Sequence, residues 1–520
     1  MKLLLLKPQD PFAITSSPSL SFAYLASIAE ERGWQVCIIN ASTGNTRLSC
    51  EQVFKEAMGF SPDLIGVSIL TFSAKISYDL IKRMSGCGAL IIAGGPHATV
   101  LPEEVLIQSP CDIVVRGEGE ETFAELLDLF EGKKRRLHEI RGISFKDKQE
   151  GRIIHTPDRP FLSEERLNAL PLPAKNLFLA RDFQLQNFGN IAASRGCPFS
   201  CTFCSQSVFH SSRRQREADS VFREIEELHR RYGVHHISFV DDVFTINEDW
   251  VRGLCAKIEA SGLPLTWRCF SRVDSISEGL LRDMKKAGCI FIIYGVESIN
   301  PYSLKKIKKK ITTADIKRVL LMTRRSGIGV FLSLIWGFPW ETIEETERLL
   351  EFINEVYPFV YFFDINRIVP FPGTELYNEY YQQYGFKDWW LRPEYFQRDL
   401  HLYQEFRNYY PNTERPFFPL PSRMIVRMEK AYSFLDERLM LTRAMIRKCK
   451  GKYEVLNQER VSAAVVFRVR RIIKLSLIAI SKFLSSHSPE LELRFLAPAY
   501  KVGVSFWRGL RAGVLRDRAR

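Results

Sequence analysis

Short apolar runs alternate with amphipathic stretches along the first 145 residues. KLLLLK (2–7) opens the series as a strand. Apolar positions then recur every three or four residues, which predicts a helix over 19–32, and QVCIIN (35–40) forms a second strand. LIGVSIL (64–70), ALIIAGG (89–95) and DIVVRG (112–117) continue as strands, with helices over 74–84 and 121–130. Strands alternating with helices predict a parallel, doubly wound sheet, whose ligands sit beyond the carboxyl ends of the strands. Those ends carry small or loop-forming residues: Ser68, Thr71 and Ser73, then Gly94, Gly95 and His97, then Gly117, Glu118 and Gly119. On topology alone they are ordinary glycine turns.

Residues 146–185 read as a connecting region. SFKDKQEGRIIHTPD has the form of a hairpin with Gly151 near its turn, and Pro160, Pro171 and Pro173 argue against long helices. From residue 190 the strand–helix rhythm resumes. NIAAS, HHISFVDD, PLTWRCFSRVD, FIIYGVES, GVFLSLIWGF and YFFDINRIVPF are six strands, and helices over 217–232, 247–260, 277–287, 313–326 and 342–357 separate them. Six such units make a partial (β/α)6 barrel, with functional side chains at the strand carboxyl ends. Past residue 380 the pattern changes to an aromatic-rich, proline-interrupted stretch that suits either a packed cap or an apolar pocket.

At 520 residues, with 46% apolar and 26% charged side chains, the chain is globular and long enough for two or three domains. Eleven irregularly spaced cysteines fit a reducing cytoplasm. The four leucines near the start are too short a run for a secretory segment, and no run of about 18 uncharged apolar residues occurs. The net charge of +13 lies in the tail, because residues 401–520 hold 24 lysines and arginines against 10 acidic residues. Wound as a helix, 465–484 puts Val465, Val469, Ile472, Ile473, Ile480 and Leu484 on one arc and Arg468, Arg471 and Lys482 opposite. Trp507 with Arg508, Arg511 and Arg516 adds a second basic segment. Such a region suits docking on the inner membrane face, or a helix packed on the protein with a solvated basic side.

The chemistry concentrates in ASRGCPFSCTFCSQ (193–206), where Cys197, Cys201 and Cys204 stand in C-x3-C-x2-C spacing. Thiols this close gain little from a disulfide, and one of the three would be left over, so a metal site is the better use. Zinc wants a fourth ligand, and Cys255, the next cysteine, has no paired spacing. An iron–sulfur cluster held by three cysteines leaves one iron open for a cofactor. Three structural cysteines are the plainer alternative, and Cys255, Cys269, Cys289 and Cys449 read as core. Asp241 and Asp242 end the second barrel strand. Neighbours on a strand point opposite ways, so one of them at most faces the mouth, and Asp242 also suits a helix N-cap.

The triplet, with Phe203 before its last cysteine, resembles the cluster loop of radical S-adenosylmethionine (SAM) enzymes, and the resemblance runs over about residues 185–380. It implies a 4Fe–4S cluster on Cys197, Cys201 and Cys204 with SAM on the open iron. It also implies a 5′-deoxyadenosyl radical that removes hydrogen from an unactivated carbon, and an external one-electron donor. In that family Asp241 would lie near the amino group of SAM. Arg272 and Glu297 would hold its carboxylate, amino group or ribose, and Gly337, in the turn that runs to Glu341, would let adenine approach. GGPHATVLPEE and VVRGEGEETF resemble the cobalamin-binding domain fused ahead of one radical SAM class, which includes methyltransferases and the anaerobic magnesium-protoporphyrin ester cyclase. That implies cobalamin lined by Ser68, Thr71, Gly94, Gly95, His97, Gly117, Glu118 and Gly119. D-x-H-x-x-G does not occur in residues 1–150, so cobalamin would bind without the histidine of that motif.

The expected organisation is a Rossmann-like cobalamin-binding domain (1–145), a linker (146–185), a radical SAM core (186–380), and an aromatic cap with a basic, mostly helical region (381–520). The expected activity is methylation of an unactivated carbon in a small or hydrophobic substrate, a lipid or isoprenoid among them. A radical cyclase or rearrangement enzyme of the same architecture is the nearest rival, and a non-catalytic cobalamin- or metal-binding protein is the rival of another class. No RNA-binding fold is recognisable, so nucleic acid is not expected as a partner.

Overall fold

Strand β1 (Lys2–Lys7) is the axis of the first sheet, and its four leucines are fully buried. They form a continuous apolar run, as expected for a strand covered on both faces. The structure, a computed structural model, describes residues 1–10, 17–43, 48–133, 136–147, 151–178, 185–206, 212–357 and 359–392. All of them fall in one compact unit, 1–436. The expected helix over 465–484, the basic segment beyond Trp507 and the cap from residue 393 onward lie outside the described residues. Among those residues no helix is long and apolar enough to cross a membrane.

The first sheet adds β2 (Gln35–Asn40), β3 (Leu64–Ser68), β4 (Leu90–Gly94), β5 (Ile113–Val115), β6 (Ile143–Lys146) and β7 (Ile153–His155), in the order β2-β1-β3-β4-β5-β6-β7. Strands β1 to β5 pair in parallel and β6 and β7 antiparallel. The hairpin read from SFKDKQEGRIIHTPD therefore extends this sheet to His155. The order in which strands are added reverses between β1 and β3, the switch point at which α/β sheets open a ligand crevice. Gly95, with φ 99°, opens the turn after β4. A Cβ there would stand 2.9 Å from the Ile69 carbonyl oxygen, so only glycine lets the two strand ends meet.

The second sheet contains β8 (Asn190–Ile191), β11 (His236–Phe239), β12 (Thr266–Ser271), β13 (Cys289–Glu297), β14 (Gly329–Trp336) and β15 (Phe362–Arg367), all parallel, in the order β15-β14-β13-β12-β11-β8. No pairing joins β8 to β15 among the described residues, so the sheet is an open half-barrel. Phe239, Phe244 and Trp267 pack on its helix-covered side. Cys255, Cys269 and Cys289 are buried, as the core reading expected.

Between β8 and β11, β9 (Ser194–Arg195) and β10 (Arg214–Gln215) pair antiparallel at the base of the cysteine loop, a ribbon that the alternation of apolar residues did not announce. Helix starts were legible. Asn247, Ser277, Thr312 and Thr342 each accept a backbone N–H at an N-cap, the last two within complete capping boxes.

Candidate active site

Cys197, Cys201 and Cys204, none of them in a disulfide, stand on a loop gripped from several sides. Thr202 donates its N–H to the Ile307 carbonyl (3.4 Å) and accepts from the Leu376 N–H (2.9 Å). The Phe203 ring meets Phe338 edge-on at 6.2 Å, and Phe199 lies under the Arg272 guanidinium at 3.8 Å. A cavity of about 660 Å³ runs past Ser200, Cys201 and Gly373 to Glu379. Burial raises the Cys197 thiol pKa, and the nearby Asp242 charge adds to it. Three sulfurs without imidazole or carboxylate in the set suit iron–sulfur ligation rather than a closed zinc site. Among the described residues no three His, Cys, Asp or Glu gather as a single metal ion requires. A four-iron cluster takes its sulfur donors at separate corners of a larger body, so the donor chemistry fits.

The two aspartates have different surroundings. Asp241 is buried and accepts the Ala193 N–H (3.1 Å) and the Ser194 hydroxyl, which fixes the strand leading into the cysteine loop. Asp242 lies near enough for its charge to act on the Cys197 thiol, and burial, then the Asp241 charge, push its own pKa up to about 6. Both oxygens of Asp241, expected near the amino group of SAM, are thus engaged by the strand that leads into the cysteine loop.

Arg272 is at the site but already engaged. Its Nε and Nη2 donate to Asp274 at 2.8 and 2.7 Å, and Nη2 also reaches the Lys309 carbonyl at 2.6 Å. It braces the loop through Phe199 instead of offering an open fork to a carboxylate. Glu297 ends β13 at φ 68°, an uncommon conformation for a residue with a side chain, beside a register shift, and pairs with Lys309 at 3.3 Å. Local strain of this kind concentrates at functional sites.

Gly337 turns at φ 86°, and its N–H donates to Glu341 Oε2 at 2.6 Å while the Phe338 N–H does so at 3.3 Å. Burial drives the Glu341 pKa up to about 8, despite the amide from Gly337 and helped by the charge of Glu345. The folded protein therefore holds this proton after the unfolded chain has released it. The stability that depends on the proton is complete below about pH 4.5 and is lost as pH rises through about 8. Glu341→Gln should flatten this part of the profile, with a gain at pH 9 of up to about 4 kcal/mol. Denaturant unfolding of both proteins across that range checks it, and parallel profiles would contradict it.

In the first sheet, Ser68, Gly94, Gly95, Gly117 and Gly119 lie at or just beyond the strand carboxyl ends. Gly117, at φ 74°, has no atom within 4 Å of the Cβ position, so nothing in the protein crowds this strand end, and open small-residue turns are compatible with a broad ligand such as a corrin. Three of the expected ligands, Thr71, His97 and Glu118, have partners within the protein. His97 is fully enclosed, with Nε2 2.9 Å from the Tyr78 hydroxyl and 3.2 Å from Glu104, Nδ1 3.3 Å from Thr71 Oγ1, and the Trp390 ring edge-on. Its ring, and the Thr71 hydroxyl with it, is a satisfied core group.

Glu118 accepts from Arg195 Nη1 (3.3 Å), Arg214 Nη1 (2.7 Å) and the Leu162 N–H (2.8 Å), while Glu120 takes Arg195 Nη2 (2.6 Å). Those arginines are the paired residues of β9 and β10, and Arg195 lies two positions before Cys197. The glycine end of β5 is thus tied by buried ion pairs to the cysteine loop, a clamp that no spacing in the sequence marks.

A model of the radical SAM superfamily matches residues 191–353, and a model of the B12 binding domain matches residues 15–127. An uncharacterized methyltransferase of Pyrococcus horikoshii is 34% identical over 387 residues, covering 72% of this chain and 82% of the relative. The anaerobic magnesium-protoporphyrin IX monomethyl ester cyclase of Cereibacter sphaeroides is 29% identical over 351 residues, 64% of this chain and 56% of the relative. The radical SAM methyltransferase TsrM of Kitasatospora setae, solved with cobalamin and a 4Fe–4S cluster, matches with a TM-score of 0.61 at 19% identity, over 74% of this chain and 75% of that one. Likeness at that identity is likeness of fold.

Proposed function

The chain belongs to the radical SAM superfamily, with a B12 binding domain ahead of its barrel, and on that premise we propose that it methylates an unactivated carbon of a small, largely apolar substrate. Cys197, Cys201 and Cys204 hold the cluster in this reading. Glu297 and the Gly337 turn receive SAM, and Ser68, Gly94, Gly95, Gly117 and Gly119 receive cobalamin. When bound, these groups supply a carbon-centred radical, drawn with an electron from an external donor, and a transferable methyl group.

The observation that carries the reading is the clamp of Glu118 and Glu120 on Arg195 and Arg214. It holds the carboxyl ends of the two sheets against each other, so that one substrate could face both cofactor sites. The protein's own contributions are positional. Arg272 and Phe338 brace the cysteine loop, Asp241 fixes its approach, and Glu341 holds the backbone of the Gly337 turn. Val240 and Phe270 are 41% and 38% exposed and share the concave face of the half-barrel with Ser238 and Arg268, which supports an apolar substrate. The same reading keeps residues 1–145, 146–185, 186–380 and 381–520 as functional segments. It places the enzyme in the cytoplasm, with the basic region from 401 onward docking it on the inner membrane face.

Similarity to the cyclase favours a second reading, ring closure or rearrangement without methyl transfer. Anaerobically reconstituted protein, given reductant, SAM and an apolar metabolite extract, separates the two by product mass. A gain of one CH₂ per turnover, with methyl-labelled SAM as its source, is the expected result. Formation of 5′-deoxyadenosine with an unlabelled product would replace methylation by the second reading.

A further inference from the structure

Four arginines crowd the base of the cysteine loop, and the acids around them do not match them one to one. Arg195 is met by Glu118 and Glu120, Arg214 by Glu118, and Arg216 by Glu224 at 2.7 Å. Arg213 has no such partner. Its Nη1 donates to the neutral Gln215 side chain at 2.7 Å, and its Nε and Nη2 are buried without a hydrogen-bond acceptor. Among the described residues no carboxylate lies within ion-pair reach of it. Asp241, Glu164 and Cys197 act on it only through space, and burial outweighs them, pulling its pKa below the usual arginine value. Two of these groups are occupied elsewhere, Asp241 by Ala193 and Ser194 and Glu164 by the Gln215 N–H.

Arg213 as a whole is half-buried, but the two donors without an acceptor are shielded from water, and donors left this way carry a desolvation cost that an incoming anion would relieve. A planar fork with parallel N–H donors is the group best shaped to take a carboxylate or phosphate. Resting on the radical SAM reading, we infer that Arg213 is an oxyanion-binding residue beside the cysteine loop, receiving either the carboxylate of SAM or an acidic group of the substrate. This gives Arg213 an anion-holding role like the one the resemblance implied for Arg272, whose Nε and Nη2 are engaged by Asp274 and Lys309.

The test uses full-length, anaerobically reconstituted protein carrying Arg213→Met, with Arg213→Lys as the charge-retaining control. Without SAM, Arg213→Met should melt no lower than wild type, because the cation it removes stabilises nothing until an anion arrives. Equilibrium dialysis then separates the two sources. If SAM is the source, its affinity falls by about tenfold or more, in line with the strength of charge-assisted hydrogen bonds, whereas decarboxylated SAM binds both proteins alike. If the substrate is the source, SAM binding is unchanged, and inorganic phosphate stabilises SAM-saturated wild type but not Arg213→Met. In either case Arg213→Lys should keep part of the response.

A lower melting temperature in Arg213→Met, with its SAM and phosphate responses intact, would make Arg213 a structural ion pair and overturn the inference. Failure of the cluster-loaded wild type to bind SAM is a different result. It removes the radical SAM reading and leaves Arg213 to be judged by melting and phosphate alone.

Discussion

Replacing Cys197, Cys201 or Cys204 by alanine, one at a time, is expected to abolish the cluster's visible absorption and reduce SAM cleavage by at least about a thousandfold, since no other group in the site supplies that chemistry. Folding should survive each change. Cys197 and Cys204 are half-buried, and removing a sulfur there should cost about 0.5–1 kcal/mol. Cys201 is buried, and its loss should cost about 1 kcal/mol more. The readouts are iron and sulfide content, the spectrum of the reduced protein, and 5′-deoxyadenosine formation, each beside a denaturation curve. Three variants that fold and keep a full complement of iron would show that the loop is not the metal site.

The second large effect concerns Glu118. Its side chain is only 7% exposed and answers two guanidinium groups of the ribbon below the cysteine loop. Glu118→Ala leaves Arg214 without any carboxylate and Arg195 with Glu120 alone. Breaking a buried pair in this way costs about 3–5 kcal/mol, most of it the penalty of the charge left behind. Glu118→Gln keeps the hydrogen bonds and should cost less. Burial opposes ionisation of Glu118, but Arg214 and Arg195 outweigh it and hold its pKa below the usual carboxylate value. Its contribution is therefore present above the unfolded carboxylate pKa and is lost as pH falls through the folded one, so the alanine variant should lose less stability in acid than wild type. Urea midpoints from pH 3 to 8 read both effects, and hydrogen exchange over residues 194–206 should quicken in the variant. Unchanged midpoints would mean that the clamp contributes nothing.

Much of the fold was legible because it follows from local patterns. Apolar runs such as KLLLLK and LIGVS can be satisfied only with both faces covered, and helices marked by Asn247, Ser277, Thr312 and Thr342 begin where side chains can cap them. The ribbon of β9 and β10 was not legible, since two residues per strand leave no periodicity to read. The partners of His97 and Glu118 were not legible for a related reason. Each lies next to the right strand end, but Tyr78, Glu104 and Trp390 enclose the first, and Arg195 and Arg214 capture the second, from distant parts of the chain.

The sequence by itself determined the two sheets, their order of appearance and the three-sulfur loop, because strand alternation, capping and the C-x3-C-x2-C spacing act within a few residues of one another. Only the tertiary structure decided which charges are spent and which remain open. Asp241 is taken up by Ala193 and Ser194, and Arg272 gives Nε and Nη2 to Asp274 while Arg213 keeps two donors unused. A charged side chain's role depends on what else shares its desolvated surroundings, and those neighbours are brought together by packing across tens to hundreds of residues.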